Sequence, residues 1–217
     1  MTDAPLNQRL AVYATRLREL NFPFAEAYDD LVARLMSGQI GEVAPRPGDL
    51  MPPFILPDLK GRLVALDELT RRGPVVVSFN RGHWCPFCKI ELRTLAAHHE
   101  DFLRYGASVV SILPDRQTFA DKLSRETLGR LIILSDVDSG YSLTLALVMW
   151  LGDNLKSMMQ GRGVHLDAIQ GNDGWFVPLP ATFVIGRDGR VISRHVDPDF
   201  RTRMDVEDII AALKSTA

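Results

Sequence analysis

The chain has 217 residues, 46% hydrophobic and 24% charged, the balance of a globular protein long enough to bury a sizeable core in one domain with additions. Its 25 Lys and Arg stand against 27 Asp and Glu for a net charge of −2, and both signs are scattered, so no basic stripe exists for nucleic-acid phosphates. The most apolar run, Leu143 to Leu151, falls far short of the roughly 20 residues that span a bilayer, and the first residues carry no signal-peptide pattern; a cytoplasmic protein without membrane contact is expected.

Apolar residues at Leu10, Tyr13, Leu17, Leu20, Phe24, Leu31 and Leu35 follow helical spacing around a break at Pro23. Two amphipathic helices result, forming an N-terminal extension over residues 1–44 that packs on its own domain or on a second subunit. Gly38 to Pro57, with five prolines and three glycines, reads as an extended connector. A hairpin around Lys60-Gly61 and a helical turn at Leu66 to Thr70 lead to a strand, Val75 to Phe79. A helix from the cysteines to Leu103, a strand at Ser108 to Leu113, a helix at Arg116 to Glu126 and a strand at Leu131 to Ser135 follow, the alternation of an α/β sheet. An insertion at about 141–178, with an irregular stretch from Gly152 to Pro180, precedes a hairpin, Ala181 to Ile185 and Arg190 to Arg194, turned at Asp188-Gly189. A helix at Val206 to Leu213 closes the chain.

Both cysteines lie in RGHWCPFCKIE, residues 81 to 91. Pro86 suits the first helical position, so Cys85 sits at the N-cap with Cys88 one turn inside, and the unpaired N–H groups and macrodipole there favour a thiolate. A structural disulfide closing so short a loop stabilises little, and a reducing compartment opposes it. Zinc needs two further ligands from His83, His98, His99, His165 and His195, none at finger spacing. Two inert buried thiols remain an alternative, but a strand-to-helix junction favours redox chemistry, with neither metal nor cofactor.

VVVSFNRGHWCPFCKIEL resembles the active-site strand, loop and helix of thioredoxin-fold proteins, and PATFVIGRDGRVI is similar to the fold's second hairpin. Together they resemble the peroxiredoxin-like branch of the AhpC/TSA family over roughly residues 45 to 215, implying a thioredoxin-like domain at 45–217 with a central mixed sheet flanked by helices. The resemblance holds in two registers. In the peroxiredoxin register Cys88 takes the peroxidatic position, Cys85 replaces the family's threonine, Arg81 its proline, and Pro180 stands where an arginine is expected. In the thioredoxin register Trp84-Cys85-x-x-Cys88-Lys89 matches, Pro180 aligns with the cis-proline beside the disulfide, and Cys85 is the solvent-facing nucleophile that Cys88 resolves.

The resemblance implies a thiol-dependent peroxidase working through a Cys85–Cys88 dithiol/disulfide cycle. Its partners would be a peroxide and a thioredoxin-like or small dithiol reductant, with a homodimer as the family expectation. The alternatives are a protein disulfide reductase and a redox-sensing module, and which sulfur meets peroxide is left open. Arg81, in the loop before Cys85, is a candidate for stabilising the thiolate or polarising peroxide. Trp84 is expected to wall the site, Thr182 to approach the sulfurs or to serve as a plain strand residue, and His83 to be solvated rather than an acid or base. His98 and His99 read as structural, and residues 161 to 171 as an irregular loop without a P-loop ending. Met149, Trp150, Met158, Met159, Trp175 and Phe176 serve a core or dimer contact, or else line an apolar pocket for an organic hydroperoxide.

Overall fold

A computed structural model describes residues 4–215. In chain order the elements are α1 (Leu6–Leu20), α2 (Phe22–Ser37), β1 (Ile55–Pro57), β2 (Leu63–Ala65), α3 (Leu66–Arg72), β3 (Val75–Phe79), α4 (Pro86–Ala97) and α5 (His99–Leu103). They continue with β4 (Ser108–Leu113), α6 (Gln117–Glu126), β5 (Ile132–Ser135), α7 (Gly140–Thr144), β6 (Val148–Trp150), α8 (Asp153–Gln160), α9 (Leu166–Gln170), β7 (Phe176–Pro178), β8 (Ala181–Ile185), β9 (Val191–Val196) and α10 (Val206–Lys214).

The central sheet runs β5-β4-β3-β8-β9, parallel across β3, β4 and β5 and antiparallel at β8 and β9, which is the expected thioredoxin-like mixed sheet. β3 and β8 are buried along their whole length, which explains why neither shows polar alternation in sequence. Strand alternation sorts their side chains into two layers. Val76, Val109, Ile133 and Val184 face α10, while Val75, Val77, Ile112 and Phe183 face the N-terminal helices and the insertion.

The register sets Phe79 opposite both Ala181 and Ile112, so the end of β3 and the start of β8 meet where the chain turns into α4. α1 and α2 pack on this end of their own domain, with Leu6, Leu10, Tyr28 and Leu31 entering the same core as Cys85 and Cys88. The helical break falls at Asn21, and Pro23 occupies the first turn of α2, where its missing N–H costs nothing. The predicted helix from the cysteines to Leu103 is two helices joined at His98. The insertion is more ordered than its composition suggests: β6 and β7 pair as a small antiparallel sheet and α8 packs on α2. No described helix is long and apolar enough to cross a membrane.

Candidate active site

The loop from β3 to α4 starts with a backbone bond to β4, Asn80 N–H to Ile112 O at 2.8 Å, and side chains hold the rest. Asn80 Nδ2 donates to Ser78 O at 3.2 Å, Ser78 Oγ at 2.8 Å and Ser111 Oγ at 3.2 Å. Asp115, two residues past β4, accepts the His83 backbone N–H at 2.8 Å and pairs with His83 Nδ1 at 2.7 Å. Gly82 bridges these anchors at φ +134°, where a Cβ would overlap Asp115 Oδ1 and Trp84 Nε1, so glycine lets the loop pass between those side chains.

Pro86 begins α4, and Cys85 is its N-cap, accepting the Cys88 N–H at 3.4 Å on its sulfur. Both residues are free thiols, and both are fully buried. Arg81 Nη2 lies 3.1 Å from Cys85 Sγ. On the other side Arg203 Nη2 lies 3.7 Å from Cys88 Sγ. Burial pushes the Cys85 thiol up, but the hydrogen bond from Cys88, the charges of Arg81 and Arg203, and the Cys88 N–H outweigh it and bring Cys85 down to about 5. Cys88 moves the other way: burial, its hydrogen bond to Cys85 and the Cys85 charge hold it protonated. The pair therefore contains one thiolate and one thiol, with the charge on Cys85.

Arg81 is itself fully buried in an aromatic enclosure, its guanidinium 4.1 Å from the Phe200 ring centre, 5.3 Å from Tyr28 and 5.4 Å from Trp84. Its Nε and Nη1 have no hydrogen-bond partner among the described residues. Two donors thus point into the enclosure beside the thiolate.

Behind the sulfurs lies a network that sequence reasoning missed. Glu91, one turn past Cys88 on α4, accepts from Ser78 Oγ at 2.7 Å and from Thr182 Oγ1 at 3.4 Å, and pairs with Arg203 Nε at 2.6 Å. Arg203 Nη1 also donates to the carbonyls of Phe200 and Thr202, and its backbone N–H to Asn7 Oδ1 at 3.0 Å. Carbonyl oxygens and a carboxylate thus satisfy a buried guanidinium and fix it beside Cys88. Glu91 stood in the quoted active-site run, and its period along α4 was readable; Arg203 lies in an irregular segment, and nothing local signals its destination.

Several expectations are revised. Cys85 is not solvent-facing. Pro180 is not cis: among the described residues every peptide bond is trans. The Leu179 N–H donates to Leu147 O at 2.9 Å, so the chain is held extended from β7 and passes straight into β8, the conformation a pre-proline residue favours. Arg81 lies buried beside Cys85, where its candidate role requires it, and Thr182 connects toward Cys88 through Glu91 and Arg203. His83 is not solvated but packs on Phe119 with ring centres 5.4 Å apart. Trp84 does wall the site, being half-buried over Arg81. The six insertion residues form no single pocket: Met149, Met159 and Trp175 serve the core as one reading expected, Met158 is half-buried against it, Trp150 and Phe176 are exposed, and Met159 also lines the recess beside Trp84. Residues 161 to 171 include the short helix α9. Among the described residues no group of three His, Cys, Asp or Glu could hold a metal.

A thiol held as its anion inside a protein, next to a second thiol one turn along, is built to be oxidised and re-reduced, which places the molecule among the thiol redox proteins of thioredoxin-like fold. The family follows from comparison: residues 47–194, more than half of the chain, match the AhpC/TSA family, and the chain belongs to it. Its fold is similar to that of the peroxidoxin BcpB from Mycobacterium tuberculosis, at 22% identity and TM-score 0.61 over 80% of this chain and 99% of that one. Reduced Prx3 from Vibrio vulnificus, solved in complex with hydrogen peroxide, is similar at 18% identity and TM-score 0.61 over 77% and 98% of the two chains. A cysteine-to-serine mutant of peroxiredoxin 6 of Arenicola marina is similar at 16% identity and TM-score 0.60, over 78% and 72%. No curated protein matches the sequence significantly.

Proposed function

We propose that the protein is a thiol-dependent peroxidase of the AhpC/TSA family in which Cys85 attacks the peroxide and Cys88 resolves. The observation that carries the assignment of Cys85 is Arg81, with one donor nitrogen on the Cys85 sulfur at 3.1 Å and two more without a hydrogen-bond partner among the described residues. The Cys85 thiolate attacks one peroxide oxygen; an S–O bond forms, the O–O bond breaks, and the other oxygen leaves as alkoxide or hydroxide, taking a proton from solvent. Arg81 Nε and Nη1 stabilise the charge that grows on the oxygens. The Cys88 sulfur then attacks the sulfenic sulfur, the S–S bond forms, and the sulfenic oxygen departs as water with the Cys88 proton. A dithiol donor returns two electrons and two protons and leaves as its own disulfide. Arg203 steadies the Cys88 sulfur as its proton is lost.

The peroxiredoxin register placed Cys88 first, whereas the charges around the pair favour Cys85. A protein disulfide reductase is the poorer reading, because both sulfurs are buried. Peroxide consumption with dithiothreitol as reductant, compared across wild type, Cys85→Ser and Cys88→Ser, tests the proposal. Sulfenic acid is expected in Cys88→Ser and not in Cys85→Ser. Wild-type rates no faster than a free thiol reject the peroxidase, and sulfenic acid in Cys85→Ser alone reverses the two roles.

A further inference from the structure

The family match begins at residue 47, so α1 and α2 lie outside it, yet these helices share the core that buries the thiols and cover the residues around them. Tyr13 of α1 meets Phe87, one of the two residues between the cysteines, edge-on at 5.0 Å, and Tyr28 of α2 meets Phe87 at 6.2 Å and Phe200 at 5.0 Å. The cover is fastened at both margins. Asn7 exchanges hydrogen bonds with Arg203 and Asp205 between 2.8 and 3.1 Å, Arg9 donates to Thr94 at 2.6 Å, and Asp29 pairs with Arg201 at 2.6 Å. Two recesses border the covered thiols: one, toward Arg201, is backed by Phe87 and Tyr28, and the other, the one flanked by Trp84 and Pro86, lies between the hairpin and α8 and is lined by Tyr13, Leu17, Tyr28, Trp84, Met159 and Arg162 among others. Its lining includes Trp84 and Pro86, the chain neighbours of Cys85, but not the sulfur itself.

This second recess has a volume of about 120 Å³. A water occupies about 30 Å³ of liquid, and an apolar cavity of about 150 Å³ accommodates a benzene ring. The recess therefore has room for a few water-sized molecules and is tight for an aromatic ring. A protein disulfide, whose sulfurs sit between two backbone segments, has no path to Cys85 past α1 and α2 while their anchors hold.

We infer that the N-terminal helical hairpin is the specificity element of the thiol site: with the insertion it forms a size filter that passes hydrogen peroxide and slender low-molecular-weight thiols and excludes aromatic hydroperoxides and protein disulfides. The inference rests on the thiol-peroxidase reading for its substrates, but the filter itself is a property of access and is measurable without peroxide. The reduced protein is treated with methyl methanethiosulfonate, a small reagent, and with dithiobisnitrobenzoate, a bulky one, and the bulky-to-small rate ratio is normalised to glutathione. In the wild type this ratio is expected at least about tenfold below the free-thiol value, the scale at which pockets discriminate by size. Leu17→Ala, from the hairpin, and Met159→Ala, from α8, each widen the recess and raise the ratio; circular dichroism establishes which variants are folded, and either one suffices.

The same proteins are then oxidised with hydrogen peroxide and with cumene hydroperoxide, and re-reduced by dithiothreitol or by a thioredoxin-type protein. A wild-type ratio equal to that of glutathione, a ratio unmoved in the folded variants, or faster re-reduction by the thioredoxin-type protein than by dithiothreitol overturns the filter. A wild type inert to hydrogen peroxide that still shows the low reagent ratio rejects the peroxidase and leaves the filter standing.

Discussion

Replacing Arg81 by methionine isolates what holds Cys85 as a thiolate. The guanidinium donates from 3.1 Å, and its charge centre lies slightly further off. Two unit charges about 4 Å apart attract by about 4 kcal/mol at an effective dielectric constant of about 20. Each 1.4 kcal/mol or so is a factor of ten in a proton equilibrium, so losing this attraction should move the Cys85 balance toward the thiol by two to three orders of magnitude. Arg203 and the helix terminus remain and keep the effect from being larger. Methionine fills the enclosure of Tyr28, Trp84 and Phe200 with apolar volume, and exchanging a buried charged group for a packed hydrophobe is commonly tolerated, so Arg81→Met should fold. The assay is the ultraviolet absorbance of the thiolate against pH in a Cys88→Ser background, where one thiol titrates and serine keeps a hydrogen-bond donor near Cys85. The Arg81→Met midpoint should lie far above that of Arg81, with Arg81→Lys between because it keeps the charge but not the fork. Loss of the Arg81 donors should add a hundredfold or so to the fall in peroxide reactivity, the scale seen when one oxyanion donor is removed. Coincident midpoints in Arg81→Met and its parent would refute the reasoning.

Stability should depend on pH with a sign set by Cys85. Its native value lies below the ordinary thiol value, so between about 5 and that value the unfolded chain binds the extra proton and stability rises with pH, by at most about 1.4 kcal/mol per pH unit. Below about 5 the contribution is gone, while above the ordinary thiol value the raised Cys88 acts in reverse, since the unfolded chain then loses a proton the native state keeps. Urea midpoints measured against pH in wild type and Cys85→Ser test this, and equal slopes count against it. Gly82→Ala should lower stability by about 3 kcal/mol through overpacking against Asp115 and Trp84 at a positive φ, read as a fall in Tm. Glu91→Ala leaves Arg203 buried without its carboxylate and should cost about 3–5 kcal/mol by denaturant titration, more than Glu91→Gln, which can still accept from Arg203 Nε; equal losses mean the pair matters only by volume.

The sheet was legible because its signals are local. An apolar run such as Val75–Phe79, a proline after Cys85 and an Asp-Gly turn each commit a few residues to one conformation, and the boundaries of β3, β4, β8 and α10 follow the sequence to within a residue or so. The burial of the thiols was not legible, because it comes from residues far away in the chain: Tyr13 and Tyr28 come from a hairpin whose pattern announces an apolar face but not what that face covers. The electrostatics failed to read for the same reason. Against the family pattern, cysteine in the place of threonine and proline in the place of arginine look like lost machinery. The fold puts guanidinium groups on both sulfurs from elsewhere, Arg81 from the preceding loop and Arg203 from the segment after β9. Proline at position 180 is compatible with this because Arg203 brings a positive charge to Cys88 and Glu91 ties Arg203 to β3 and β8 by Ser78 and Thr182. An alignment scored position by position counts a substitution as a loss, whereas the thiolate responds only to which charges stand within a few ångströms, whatever part of the chain supplies them.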